Sequence, residues 1–191
     1  MNQYLQSCDI IDWQNPVVLA KAGDLTKNCD DEIDIARNCF EFVRDEIQHS
    51  GDYQRDETTC SASEVLKHKT GWCYAKSHLL AALLRANHIP AGLCYQRLTV
   101  EGDQGPYCLH GLNAVYLKAY GWYRIDARGN NDAVKAAFCP PAESLAYPVT
   151  HPGEADLSGI WPTPFPIITE VLRNCHSYQA VRDHLPDIAL F

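Results

Sequence analysis

An α+β fold is predicted by three features of this sequence. Apolar residues recur at helical spacing in two segments of the first half, 31–47 and the stretch from Gly71 to Ile89. Residues 92–126 then hold three runs rich in aromatic and β-branched residues, and the last two flank "KAYG" as a hairpin would. The two kinds of segment do not alternate. Helices come first and strands follow, the order of an antiparallel sheet with helices on one side of it rather than of a parallel α/β sheet.

The elements follow in order. Residues 1–20 read as irregular, with a turn at Pro16. In "DEIDIARNCFEFVRDEI", 31–47, Ile35, Cys39, Phe42 and Val43 make an apolar stripe that Ile47 continues, so this helix packs one face on the core. "SGDYQRDETT", 50–59, reads as a polar loop. "SASEVLKHK", 61–69, is a short helix whose Ser61 and Glu64 fit a capping box. In "GWCYAKSHLLAALLRANHIPAG", Thr70 precedes the helix as a plausible N-cap, Leu79, Leu80, Leu83 and Leu84 share a face, and Ile89-Pro90 ends it, because a residue before proline avoids the helical region. Strands are expected at 92–100, 109–117 and 122–126, and a last helix over "IITEVLRNC".

The chain has 191 residues, the size of a single domain with a substantial core. Apolar residues make up 46% and charged residues 21%, ordinary globular values. A formal net charge of −8 and the lack of any Lys/Arg-rich run argue against a nucleic-acid or anionic-membrane partner. No run approaches ~18 apolar residues, and the first residues carry no basic and apolar leader pattern. Nine cysteines cannot all pair within one chain. These points lead to the expectation of a cytoplasmic protein with reduced thiols, most of them small buried hydrophobes.

Cys73 differs from the other eight in position. It falls in the first turn of a long apolar helix, where the helix dipole and free N–H groups favour a thiolate and could hold an oxyanion. His110 opens one strand of the hairpin and Asp126 closes the next. Side chains alternate along strands, so a register that pairs Leu112 with Asp126 makes His110 its diagonal neighbour, within reach of an imidazole–carboxylate contact; a register shifted by one residue puts them on opposite faces. A thiolate attacks, an imidazole takes and returns protons, and a carboxylate orients the imidazole.

The runs "GWCYAKSHLLAALLRANHIPAG", "LHGLNAVYL" and "WYRIDARGN" resemble the core of the transglutaminase-like superfamily. The resemblance is strong over about 71–130 and reaches back through "SASEVLK" and "FEFVRDEI". It implies a papain-like fold with the nucleophile helix packed on an antiparallel sheet, a core over about 31–130 and a C-terminal extension over 131–191. It places Cys73, His110 and Asp126 on the triad positions. It implies a cysteine-dependent acyl-transfer enzyme acting on amide bonds through a thioester, as a protease, amidase or transglutaminase, with a peptide, protein or small amide as substrate and no cofactor. Three departures bear on the substrate: His88 stands where the family often has the Gly of a left-handed turn, Gly111 follows His110 where an aromatic is frequent, and "DARGN" replaces a commoner Asp-Pro-Thr.

A second oxyanion donor, beside the Cys73 backbone N–H, is expected from a side chain upstream, with Gln54 and Trp13 as candidates. Trp72, Tyr95 and Tyr107 are candidates to border the substrate cleft, as is Gln96. Each residue also has a plainer reading: Cys73 as a packed core thiol, His110 as a strand histidine, Asp126 as a turn cap. His151 and His176 suit surface or capping roles, and no spacing fits a zinc site or a phosphate loop. Two other classes remain: a catalytically inactive binding module on this fold, and a redox or metal-buffering protein suggested by the cysteine count.

Overall fold

The computed structural model describes residues 1–190. After a 3-10 turn at Asn2–Leu5 come helices α1 (Pro16–Leu25) and α2 (Glu32–Glu46), strand β1 (Gln48–His49), the single-turn helix α3 (Ser50–Tyr53), α4 (Ala62–His68), strand β2 (Thr70–Gly71) and α5 (Cys73–Ala86). Strands β3 (Ala91–Thr99), β4 (Tyr107–Leu117) and β5 (Gly121–Ile125) follow, then β6 (Ala155–Asp156), α6 (Pro166–Asn174) and α7 (Tyr178–Asp183). The α+β order read from the sequence is the order observed.

Local chemistry accounts for the helix ends. Ser61 accepts from the Glu64 amide at 3.3 Å while the Glu64 carboxylate accepts from the Ser61 amide at 3.0 Å, the expected capping box. The reading of 1–20 as irregular misses α1. Pro16 starts that helix rather than a turn, since its missing N–H costs nothing at the first helical position, and the Asn15 side chain caps it. The polar loop at 50–59 likewise begins with a helical turn. Thr70 does not cap α5. It belongs to β2, paired in parallel with Gln48, and Trp72 occupies the cap position with no side-chain bond. At the other end of α5, His88 takes the left-handed conformation (φ +58°) where its own amide bonds Arg85 O and the Ile89 amide bonds Leu84 O, a Schellman closure.

α5 is the central element: every residue from Cys73 to Arg85 is buried. It packs against β3 and β4, with α1, α2 and α4 around it. The sheet runs β5-β4-β3-β6, all antiparallel. Alternation sorts its two faces. Leu93, Tyr95, Leu109, Val115 and Leu117 join α5 in the main core, while Cys94, Leu112 and Ala114 on the opposite face are covered by Trp122, Leu145 and Ile160. The C-terminal segment adds Ile168, Leu172 and Val181 to the main core. β4 is longer than its neighbour: β5 pairs only with residues 113–117, so residues 107–111 carry a strand edge that β5 does not cover. The site lies at that edge.

Candidate active site

Cys73 is the first residue of α5, and no side chain caps the helix there, so its leading N–H groups have no side-chain partner. The uncovered edge of β4 receives it. The Gly111 amide points at the Cys73 thiol, 3.5 Å away, and the Tyr74 hydroxyl donates to Leu109 O. Glycine at 111 is what admits the helix. A β-carbon there would stand 3.1 Å from the Tyr74 Cα and 3.0 Å from its ring.

His110 and Asp126 meet as the register requires. β4 and β5 pair Asn113 with Ile125 and Ala114 with Arg124; one step further sets Leu112 opposite Asp126. His110 Nε2 lies 2.8 Å from Asp126 Oδ2, both side chains buried. Asp126 also accepts from the amides of Arg128 (3.1 Å) and Ala146 (3.0 Å), so its carboxylate cannot turn away. The Tyr147 ring stands edge-on to His110 at 5.0 Å.

The charges follow from this geometry. Burial alone would raise the Cys73 thiol, but the charge on His110 and hydrogen bonds from His110 and His49 outweigh it and bring the thiol down to about 6. Burial would lower His110, and the Asp126 carboxylate and Cys73 thiolate instead raise it to about 10. Asp126 is held below its ordinary value: burial opposes this, and His110 and the two backbone amides prevail. Both shifts run in the direction that favours a thiolate–imidazolium pair near neutral pH. The other buried cysteines go the opposite way, with burial pushing Cys39 and Cys94 up to about 12 and Cys60 up to about 11, and the half-buried Cys108 is likewise raised to about 12.

The sequence profile of the transglutaminase-like superfamily matches residues 20–127, more than half of the chain. The chain belongs to that superfamily. No curated relative matches it. Among solved structures it is similar to a Cytophaga hutchinsonii protein provisionally named a cysteine protease, with a TM-score of 0.52, 16% identity, and coverage of 65% of this chain and 40% of that one. The periplasmic domain of TgpA from Pseudomonas aeruginosa gives a TM-score of 0.49 and 19% identity over 65% of this chain and 45% of its own. The chain thus spans less than half the length of either. The superfamily match and the Cytophaga hutchinsonii structure agree on an α+β, papain-like fold.

A cleft of about 540 Å³ opens over the thiol. Cys73, His110 and Trp72 line it. The other expected residues sit elsewhere. Gln54 ends α3 in the left-handed conformation, on the surface, and Trp13 donates its indole N–H to Leu5 O. Tyr95 lies on the core face of β3, stacked on Phe165, because alternation turns it away from the face of Gln96 and His110. Tyr107 bonds Pro152 O and stacks on Arg97. None of these four borders the cleft.

Residues that the sequence reading did not assign to the cleft take their places. His49 and Asp52 form one wall, with Arg128 bonded to Asp52 at 2.5 and 2.6 Å. Tyr147, Pro148, Thr150, His151 and Glu154, with Tyr178, Arg182 and Leu185 from α7 and beyond, supply much of the rim. All eight lie past residue 127, outside the matched family core. Tyr178 stacks parallel to Trp72 at 5.9 Å. A signal for α7 was present: Ser177 before "YQAVRD" is an N-cap, and its hydroxyl accepts from the Ala180 amide. For His49 there was none, since a two-residue strand shows no period.

Proposed function

We propose that this chain is an acyl-transfer enzyme acting on amide bonds through a thioester. Cys73 attacks the carbonyl, His110 gives its proton to the leaving amine, and Asp126 keeps the imidazole oriented and charged. The observation that carries the reading is the 2.8 Å contact between His110 Nε2 and Asp126 Oδ2, which leaves the other ring nitrogen for the Cys73 thiol. The depressed thiol supports it, because the thiolate is the nucleophilic form. The thioester then passes to water or to an amine. The cleft walls are largely apolar and aromatic, through Trp72, Tyr74, Leu98, Tyr147 and Tyr178, so the acyl group is one with an apolar or aromatic flank, from a peptide or small amide. The reaction needs no cofactor. All nine cysteines are unpaired, which supports a cytoplasmic, reducing setting; no described helix is long and apolar enough to cross a membrane.

The test is an acyl-enzyme trap. The protein is mixed with p-nitrophenyl acetate, an acyl donor that needs no specific recognition, and the adduct is mapped by mass spectrometry. Acetylation is expected at Cys73 alone and lost in His110→Ala. Its discharge to water or to added putrescine then shows which acceptor the site favours. An adduct spread over several cysteines, or one unaffected by His110→Ala, contradicts the reading.

A further inference from the structure

The Cys73 thiol has two imidazoles beside it, and only His110 has a place in the chemistry above. His49 occupies the facing wall of the cleft. Its position is fixed from every side. β1 pairs in parallel with β2, setting His49 opposite Gly71, two residues before Cys73. The carbonyls of Ile47 and Arg44 behind it receive the buried Lys76 ammonium. The ring stands edge-on to Trp72, centroids 5.6 Å apart. Beneath it Gly51 leaves just enough room, since a β-carbon there would lie 3.0 Å from the ring's Cε1. Nδ1 is 3.4 Å from Asp52 Oδ1, and that carboxylate is held in turn by two bonds from Arg128 and one from Asn131 at 3.0 Å. Nδ1 therefore faces the carboxylate, and Nε2 is the nitrogen left for the cleft.

Attack on a carbonyl creates a negative oxygen that needs two donors close to the nucleophile. The Cys73 backbone N–H, at the open end of α5, is one. Neither Gln54 nor Trp13 reaches the cleft to be the second. We propose that His49 is a catalytic residue of this site, whose Nε2–H donates to the oxyanion formed as Cys73 attacks the acyl carbonyl. This rests on the acyl-transfer reading and assigns its missing donor. As the C–S bond forms, the carbonyl π pair moves onto oxygen, between Nε2–H of His49 and the Cys73 amide. When the pair returns, the C–N bond breaks and the His110 proton leaves with the amine. Because Nδ1 is turned to the Asp52 carboxylate, Nε2 carries a hydrogen only in the doubly protonated ring, so the role requires the imidazolium, which keeps both protons throughout. Asp52 and Arg128 are positioning residues that aim the ring without touching the substrate.

Two reagents separate this role from a merely structural one. p-Nitrophenyl acetate is attacked at a carbonyl and passes through an oxyanion; iodoacetamide is attacked at a saturated carbon and does not. Full-length wild type, His49→Gln, His49→Met and His110→Ala are compared at neutral pH, each rate divided by the thiolate fraction taken from that variant's own alkylation–pH profile, after circular dichroism shows each is folded. Gln keeps an N–H donor at similar size; Met fills the space with none. His49→Met is expected to slow acetylation of Cys73 by about 100-fold while alkylation changes by less than about threefold, and His49→Gln should stay within about tenfold of wild type in both. Equal losses in the two reactions, equal acetylation by the Gln and Met variants, or a normal acetylation burst with loss only of turnover would each overturn the assignment, the last by making His49 an activator of the acceptor. Wild type that alkylates at Cys73 and never acetylates sinks the acyl-transfer reading itself, a different result from any of these.

Discussion

Gly111 and Tyr74 are in backbone contact. A β-carbon on Gly111 would stand 3.1 Å from the Tyr74 Cα and 3.3 Å from its amide nitrogen, with no flexible side-chain end to give way. That contact seats the first turn of α5 against the uncovered edge of β4, and it is why Cys73 and His110 share one cleft although they lie on different elements.

Gly111→Ala is therefore expected to push Cys73 off the strand edge. Overpacking of this kind costs about 1–3 kcal/mol. The loss of Cys73 reactivity should exceed anything that this stability loss explains, because the Gly111 amide also points at the thiol. Urea unfolding and Cys73-specific alkylation of the same variant provide the check; a fully reactive thiol in Gly111→Ala would show that the contact does not set the site.

The Asp52–Arg128 pair makes a second prediction. Arg128→Met leaves the Asp52 carboxylate against His49 with its bidentate partner gone. Asp52 keeps some exposure to water, so the expected cost is about 2 kcal/mol, between a surface pair and a fully buried one. The double variant Arg128→Met/Asp52→Leu should recover part of it. A double-mutant cycle in urea with a coupling near zero contradicts this.

Lys76 gives a pH signature. Burial, aided by Arg128, lowers its ammonium to about 7 against the pull of nearby aspartates, while in the unfolded chain it titrates at about 10.4. Below pH 7 both states hold the proton, and burial of the charge opposes folding in full. From about 7 to about 10.4 the unfolded state binds a proton the native state lacks, so stability rises with pH over that window. The stability of wild type minus that of Lys76→Met should climb between pH 7 and 10. A flat difference would mean the ammonium is not held in a poorly solvated place.

What the sequence revealed and what it hid divide by range. Cys73, His110 and Asp126 each stand at the end of an element with a strong period, so their relation depended on one unknown, the hairpin register, and the observed pairs are those that bring His110 to Asp126. His88 was legible as a left-handed position through the resemblance, since the family often has glycine there. The opposite wall was not. His49 lies on a strand of two residues, and Asp52 and Arg128 are 76 residues apart with no motif to join them. Tyr95 was misread because a strand's aromatic residue serves a core face as well as a cleft face, and only the pairing of Gln96 with His110 settles which is which. Pro16 marked a helix start and not a turn, because Asn15 before it supplies the cap.

The most direct test of the account is the alkylation rate of each of the nine cysteines against pH, mapped by mass spectrometry in the native protein and in His110→Ala. Cys73 should react fastest at neutral pH, with a midpoint near 6, while Cys39, Cys94 and Cys108, which burial pushes to about 12, stay inert. In His110→Ala the Cys73 midpoint should move up towards the free thiol value of about 8.5 or beyond. A Cys73 that reacts no faster than the other buried cysteines, or that is unchanged by the loss of His110, would make it a packed core thiol and contradict the thiolate–imidazolium pair at the centre of the account.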